Sequence, residues 1–273
     1  MSRKRQRTEE PEEESFDDGL EPWSPPIPYY MTRYGKQLMD TKDILPENRY
    51  MMDEVLFRGR GSAKASTMMV TSYEAVSASG RVLKPLVVVR KCQVKQEWLD
   101  KNIPHKDEYS FVFKDVKDSA ALERAVQWFK DEFVPQTVPK NAQGEEDRSQ
   151  WRLLVWRDVY TRDRSEVREL CKRHRIKIVN MPAEIAHFAS PLECVLAPKV
   201  RKVLARHAKP ARGEHYGHAF LRAFHQARTE GMAKEEVMAA LEETGLWPVD
   251  STKVCYLNDD RMPKQVRVKG QPM

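Results

Sequence analysis

A charged pair directly follows a short apolar segment in 152-RLLVWRDVYTRD-163, where the residues from Leu153 to Trp156 precede Arg157 and Asp158. The apolar residues predict a short buried strand. A carboxylate at the end of that strand could hold a hard divalent cation, as a metal-dependent nuclease requires, because such cations prefer oxygen ligands. An arginine there would repel the cation, since its guanidinium stays charged. The chemistry therefore depends on which of the two side chains lies in the candidate metal site at the end of the strand.

The segments around this strand predict a mixed sheet with helices. The first three strands are expected in 49-RYMMDEVLFRG-59, 66-STMMVTSYEAVSAS-79 and 81-RVLKPLVVVRK-91, with Ser79-Gly80 as the tight connection of an antiparallel meander. A helix is expected over 118–134, the strand described above comes fourth, and a helix over 164–175 leads to a fifth strand over 176–181. Further helices are expected from 191, where Pro198 should break or kink the helix, and over about 216–230 and 233–244.

This order of elements is that of the ribonuclease H fold. It predicts an α/β domain with three antiparallel and two parallel strands, flanked by helices and followed by extra C-terminal helices. In that fold the first and fourth strands lie side by side at the centre of the sheet. Their ends should therefore come together, although about a hundred residues separate them in the sequence.

Composition and charge favour a globular domain with polyanionic partners. Hydrophobic residues make up 40% of the 273 residues, charged residues make up 32%, and the net charge is +6. Residues 1–28 contain four basic and eight acidic side chains, a net charge of −4, so the rest of the chain carries +10. This balance favours nucleic acid as a partner.

The N-terminal segment is predicted to be a disordered tail, because it is rich in charge and proline and poor in aliphatic residues. Its cluster 3-RKRQR-7, with Arg3, Lys4, Arg5 and Arg7, predicts recognition by the nuclear import machinery and a location in the nucleus. No run of about 18 apolar residues and no signal peptide occur, so neither a membrane span nor secretion is expected. The four cysteines lack paired spacing, which predicts a reduced compartment and no structural zinc.

Four segments resemble the DDE endonuclease domain of pogo-like transposases, the group that includes Tigger, jerky and centromere protein B. They are 44-ILPENRYMMDEVLF-57, 72-SYEAVSASGRVLKPLVVVRK-91, 181-MPAEIAHFASPLECVLAPKVRKVL-204 and 227-ARTEGMAKEEVMAALEETGLWPVD-250. The resemblance implies a disordered tail and linker over 1–41, a ribonuclease H-like domain over 42–250 and a C-terminal tail over 251–273. Only about forty residues precede the domain, where the family usually carries helix-turn-helix modules. The chain is therefore expected to be a fragment, a domesticated remnant or a sequence truncated at its N-terminus.

The resemblance also implies a set of acidic residues that bind Mg²⁺. The first acid of the family corresponds to Asp53. The third corresponds to Glu193 in 187-HFASPLE-193, where the family usually has aspartate. The second acid lies in an "LDGHxSH" motif, and an ungapped match places Arg157 at that position. Arg157 and Glu193 are 36 positions apart, and the 35 residues between them are the interval familiar from the family. This match predicts a degraded site with Asp53 and Glu193 as the remaining ligands.

A shift of one residue would instead offer Asp158 as the second acid. Side chains alternate along a strand, so this shift turns the carboxylate to the other face of the sheet unless a bulge or an early strand end re-aims it. Asp158 therefore remains an alternative ligand.

Basic residues near the third acid are candidates for contact with nucleic acid. The resemblance places them beside the cleft, where Lys199, Arg201, Lys202, Arg206 and His187 could reach phosphates. The favoured function is a transposase-derived nuclear domain that binds DNA, with little or no catalysis and possible homo-oligomers. An active magnesium-dependent endonuclease using Asp53, Asp158 and Glu193 is one alternative. A protein-interaction module that keeps only the fold is another.

Overall fold

The computed structural model describes residues 27–59, 68–90, 105–114, 121–157, 164–212, 214, 216–250 and 252–253. Over these ranges, no helix is long and apolar enough to cross a membrane. The α-helices are α1 (Ile27–Met39), α2 (Ala121–Trp128), α3 (Val134–Gln136), α4 (Ser165–Arg173), α5 (Ala183–Ala189), α6 (Ala197–His207), α7 (Tyr216–Gly231) and α8 (Lys234–Glu243). The π-helical segment Phe129–Phe133 joins α2 to α3, and the π-helical segment Pro191–Leu196 leads into α6.

The strands form one mixed sheet in the order β4-β3-β2-β1-β5-β6. They are β1 (Arg49–Gly59), β2 (Met68–Ser77), β3 (Leu86–Arg90), β4 (Ser110–Lys114), β5 (Arg152–Trp156) and β6 (Ile176–Asn180). Strands β1, β2 and β3 are antiparallel neighbours, whereas β5 runs parallel to β1 and β6 runs parallel to β5. The predicted ribonuclease H-like fold is confirmed, including its central pair of first and fourth predicted strands.

Strand β4 is an addition that the sequence patterns did not predict. It pairs in parallel with β3 at the edge of the sheet, with Val87 opposite Phe111 and Val89 opposite Phe113. Its apolar run has only three residues, Phe111 to Phe113, which are too few to separate a strand from a loop by periodicity. The sheet therefore has six strands where five were expected.

The two faces of the sheet bury separate apolar clusters. Met51, Val55 and Phe57 of β1 pack in the cluster that contains residues of α1, α5, α6, α7 and α8. The alternate residues Tyr50 and Met52 pack in the cluster that contains residues of α2 and α4. This alternation follows from the two-residue repeat of a strand. It also puts residue 53 on the face of the sheet that the C-terminal helices cover.

Helix α1 corrects the expectation that residues 1–41 form only a tail and linker. Its residues Met31, Tyr34 and Leu38 lie on one helical stripe and are buried in the core. The charged, proline-rich residues before it hid this stripe in a prediction that relied on average composition. Residues 1–26, with the basic cluster 3-RKRQR-7, lie outside the described residues.

The helices around Glu193 also differ from the prediction. Helix α5 was not expected, and its seven residues give only a short apolar repeat. The segment that begins at Pro191 is π-helical, and α6 starts at Ala197 with Pro198 in its first turn. Because proline has no N–H, residue 198 cannot continue the hydrogen bonding of an α-helix to the preceding turn. Pro198 therefore marks the change from π-helix to α-helix.

Candidate functional site

The middle of β1 and the end of β5 bring the two predicted site positions together, so Asp53 lies within its strand and not at the strand end that was expected. Met52 of β1 is the parallel partner of Trp156 of β5, so the next residues, Asp53 and Arg157, are neighbours at the centre of the sheet. Leu153 and Val155 of β5 pack on the same face as Met51 and Val55.

Arg157 lies between the two carboxylates that the sequence singled out. Its Nε donates a hydrogen bond to Oδ1 of Asp53 at 2.9 Å, and its Nη1 donates to Oε2 of Glu193 at 2.5 Å. The arginine side chain is 28% exposed, whereas the side chain of Asp53 is 2% exposed. One guanidinium thus bridges a buried carboxylate and a partly exposed one, 104 and 36 residues away in the sequence.

Ser190 holds Asp53 and Glu193 in place, and sequence reasoning missed it. Its buried hydroxyl donates to Oδ2 of Asp53 at 2.9 Å and accepts from the backbone N–H of Glu193 at 3.2 Å. Ser190 is also the N-cap of the π-helical segment that begins at Pro191. The letters S-P-L-E at 190–193 fit the capping-box pattern, which could have identified Ser190 as the cap of the helical segment expected from 191.

Both carboxylate oxygens of Asp53 are engaged. Oδ1 accepts from Arg157 and from the backbone N–H of Glu54 at 2.8 Å, and Oδ2 accepts from Ser190. Burial nevertheless raises the pKa of Asp53 to about 6, because the loss of hydration outweighs the favourable effects of Arg157 and Ser190. The carboxylate therefore depends on Arg157 to remain ionised near neutral pH.

The described residues of this site do not fit a magnesium ion. Both oxygens of Asp53 and one oxygen of Glu193 already accept hydrogen bonds, two of these three from the same guanidinium. An ion bound between the two acids would lie within a few ångströms of the positive charge of Arg157. A magnesium site needs oxygen ligands, and the guanidinium between the two acids supplies none.

Asp158, the alternative second acid, lies outside the described residues, as does the rest of 158–163.

The five candidates for phosphate contact have different surroundings. Lys199 pairs with Glu236 of α8, and Arg201 donates to the carbonyl oxygen of Leu56 at 3.1 Å. Lys202 and Arg206 are exposed on α6, and His187 is exposed on α5. The pairing of Lys199 makes it less available to a phosphate than the two exposed cations of α6.

A second buried carboxylate faces the same layer of helices. Glu74 of β2 lies opposite Asp53 in the strand register and is fully buried. It accepts hydrogen bonds from Nε of Arg228 at 3.1 and 3.0 Å and from the hydroxyl of Ser72 at 2.6 Å. Sequence reasoning did not single out this pair. The sequence signal for this pair was a glutamate within a predicted strand, since a charge that becomes buried there needs a partner.

A family model described as "DDE superfamily endonuclease" matches residues 64–209, which is more than half of the chain. The chain belongs to the DDE superfamily of endonucleases. The matched residues of this DDE-family chain include Arg157 and Glu193, whereas Asp53 precedes them and is placed at the site by β1. No curated protein sequence matches the chain.

Among solved structures, this DDE-family chain is similar to the catalytic domain of Mos1 mariner transposase. The identity is 8%, the TM-score is 0.44, and the match covers 78% of this chain and 97% of that one. A Mos1 catalytic domain with Raltegravir and Mg matches with 11% identity and a TM-score of 0.41, over 81% of this chain and 96% of that one. The Mos1 strand transfer complex matches with 10% identity and a TM-score of 0.41, over 81% and 64%.

Proposed function

We propose that this chain is a transposase-derived domain that binds DNA and no longer cuts it. The observation that carries the proposal is the position of Arg157, which bridges Asp53 and Glu193 and offsets part of their negative charge. Chemistry of the DDE type needs divalent ions held by carboxylates. With a fixed cation between the two acids, this chain keeps the fold of the enzyme without a place for the ions.

Loss of cutting leaves electrostatic binding of DNA as the retained activity. Outside its acidic first 28 residues the chain carries a net charge of +10. The helical segment that begins at Pro191 continues past Glu193 into α6, where Lys202 and Arg206 are exposed. Phosphate contacts by such side chains give affinity without base specificity. We therefore propose that the exposed cations of α6 contact the DNA backbone.

The binding proposal predicts a specific change in salt dependence. Fluorescence anisotropy with a labelled DNA duplex should show an affinity that falls as salt rises, with a slope of about 0.9 for each phosphate contact. The double substitution Lys202→Ala and Arg206→Ala should lower that slope by up to about 2 and weaken binding of all duplexes alike.

The matched control removes two exposed cations from the opposite side of the sheet. Lys172→Ala and Arg173→Ala change the net charge equally on α4, which packs on the other face. An equal loss of affinity in the two double variants would contradict a binding surface on α6. No salt-dependent binding at all would favour a module that binds proteins and keeps only the fold.

We also propose a pogo-like origin and a location in the nucleus. The four matching segments support the subgroup, and the cluster 3-RKRQR-7 supports nuclear import. A fluorescent fusion of the chain should accumulate in the nucleus, and substitution of Arg3, Lys4, Arg5 and Arg7 by alanine should spread it through the cell. Unchanged nuclear accumulation of the substituted fusion would contradict the import signal.

A further inference from the structure

A wide groove of about 790 Å³ lies where strands β1 and β5 begin. One wall is the chain between α1 and β1, including Asp40, Asp43 and Leu45, and the other is the chain before β5, including Gln150 and Trp151. Arg157, in contrast, follows the last residue of β5. The groove is therefore at the opposite end of the parallel strands from the cluster of Asp53, Arg157 and Glu193.

Two large apolar side chains of this groove are half exposed. Leu45 is 50% exposed and Trp151 is 51% exposed. Within the described residues, Met39 and Met238 are the other large apolar side chains with comparable exposure, and neither lines the groove. Apolar side chains that share one concave surface are typical of a site that a partner covers.

Hydrogen bonds and stacking fix the walls of the groove in advance. Nδ2 of Asn48 donates to Oε1 of Gln150 at 2.9 Å, which ties the residues before β1 to those before β5. Nε2 of Gln150 donates to the carboxylate of Asp147 at 2.8 Å. The guanidinium of Arg175 lies over the indole ring of Trp151, 5.9 Å from its centroid. A surface fixed in this way loses little conformational entropy when a partner binds.

The rim of the groove is acidic. Asp40 and Asp43 are exposed, and no residue that the structure describes forms a hydrogen bond or ion pair with either carboxylate. Lys177 is the one cation among the described lining residues, and its Nζ donates to the backbone carbonyl oxygen of Asp40 at 3.3 Å. The lining thus has a net charge of −1, on a chain whose residues after 28 carry +10. This rim repels phosphates and attracts basic side chains.

We propose that the groove binds a segment of a partner protein that combines an apolar side chain with flanking lysines or arginines. The apolar side chain would pack against Leu45 and Trp151, and the flanking cations would pair with Asp40 and Asp43. The groove is too open for a small ligand, because small-ligand sites enclose most of the ligand's surface, whereas these walls remain half exposed. The proposal shares no residue with the cluster around Asp53 or with α6, so it does not rest on the proposed function.

Fluorescence anisotropy of the labelled peptide Lys-Lys-Leu-Leu-Lys-Lys with the full chain tests the proposal. We expect saturable binding at micromolar concentrations of the protein. Two control peptides, one with serines in place of the leucines and one with glutamates in place of the lysines, should bind about tenfold more weakly. The serine peptide is needed because residues 1–28, with a net charge of −4, attract any basic peptide.

Variants of the groove locate the bound peptide. Leu45→Ser should weaken binding of the leucine peptide by about tenfold, as loss of a central apolar contact does. The double variant Asp40→Asn and Asp43→Asn should weaken it by about fivefold at low salt and less at high salt, where exposed charges are screened. These three side chains are exposed, so both variants should melt at the same temperature as the parent.

Matched controls remove similar groups elsewhere on the surface. Met238→Ser on α8 changes an apolar side chain that is 45% exposed, and it should bind the leucine peptide as the parent does. The double variant Glu166→Gln and Glu169→Gln on α4 removes two exposed carboxylates and should also bind with parental affinity.

Three results would overturn the proposal. The first is the absence of saturable binding of the leucine peptide. The second is equal binding of the serine peptide, or parental affinity in Leu45→Ser, because the peptide would then be held outside the groove. The third is a dimer of the parent in sedimentation analysis that becomes a monomer in Leu45→Ser, because a second copy of the chain would then cover the groove.

Discussion

Replacing Arg157 by aspartate should give the protein a magnesium site that the parent lacks. The substitution removes the guanidinium from between Asp53 and Glu193 and adds a third carboxylate at the end of β5. The local charge of these three side chains then changes from −1 to −3. Both changes favour a hard divalent cation. Calorimetry should detect magnesium binding in Arg157→Asp at an affinity at least about tenfold above that of the parent, a difference of about 1.4 kcal/mol.

Two companion variants distinguish the repulsion of the ion by Arg157 from its ligation by the new carboxylate. Arg157→Asn removes the positive charge without adding a carboxylate, so it should bind magnesium more weakly than Arg157→Asp. The double variant Arg157→Asp with Glu193→Gln loses one of the three acids and should fall back towards the parent. Because three unneutralised carboxylates repel one another, magnesium should also raise the melting temperature of Arg157→Asp. Equal magnesium affinity in the parent and Arg157→Asp would contradict the placement of Arg157 at the second acid's position.

Replacing Arg157 by methionine should destabilise the protein in a pH-dependent way. The substitution keeps an unbranched apolar stem in place of the arginine methylenes and leaves the buried Asp53 without its cationic partner. Loss of one partner from a buried ion pair costs about 3 kcal/mol, so the free energy of unfolding should fall by about that amount at pH 8. At pH 5 the loss should shrink to about 1 kcal/mol, the value of a partly exposed pair such as Arg157 with Glu193.

The sign of this pH effect follows from the pKa of Asp53. In the parent, burial raises the folded-state pKa from 3.8 to about 6, and Arg157 opposes that rise. Without Arg157 the folded-state pKa must rise further, so the folded variant keeps a proton that the unfolded chain has lost. Its stability therefore declines relative to the parent as pH rises above about 6, and the difference levels off above the variant's own pKa. Urea unfolding at pH 5 and pH 8 measures both limits.

The control for this prediction is Arg173, whose guanidinium is exposed. Arg173→Met on α4 removes the same charge from the surface and should change the free energy of unfolding by less than about 0.5 kcal/mol. A loss in Arg157→Met that is the same at pH 5 and pH 8 would show that Asp53 is not the group that Arg157 stabilises.

The sequence contains enough to predict five of the six strands, and its resemblance to pogo-like transposases points to the two acids. Strand β1 reads clearly because its buried residues alternate between two faces, and the fourth predicted strand is a continuous apolar run. Once these strands are paired in parallel, the residues that follow Met52 and Trp156 must be neighbours. Periodicity and fold topology therefore place the two strands side by side, and the resemblance to pogo-like transposases points to positions 53 and 157 on them.

Other features depend on contacts that no local pattern encodes. Ser190 reaches Asp53 across 137 residues, and Arg228 reaches Glu74 across 154 residues. Each side chain alone looks like an ordinary polar residue of a helix or helix cap. The buried helix α1 was missed for a different reason, because an average over a charged, proline-rich segment concealed its apolar stripe. Long-range pairing and local averaging thus limit what the sequence alone can predict.

The most direct test of the central claim is nicking of supercoiled plasmid by the purified chain with Mg²⁺ or Mn²⁺. We predict that relaxed circles do not exceed those formed with the metal alone, and that Asp53→Asn and Glu193→Gln give the same result as the parent. Metal-dependent nicking by the parent that disappears in Asp158→Ala would contradict the account, because it would show that Asp158 supplies the carboxylate that Arg157 was inferred to replace.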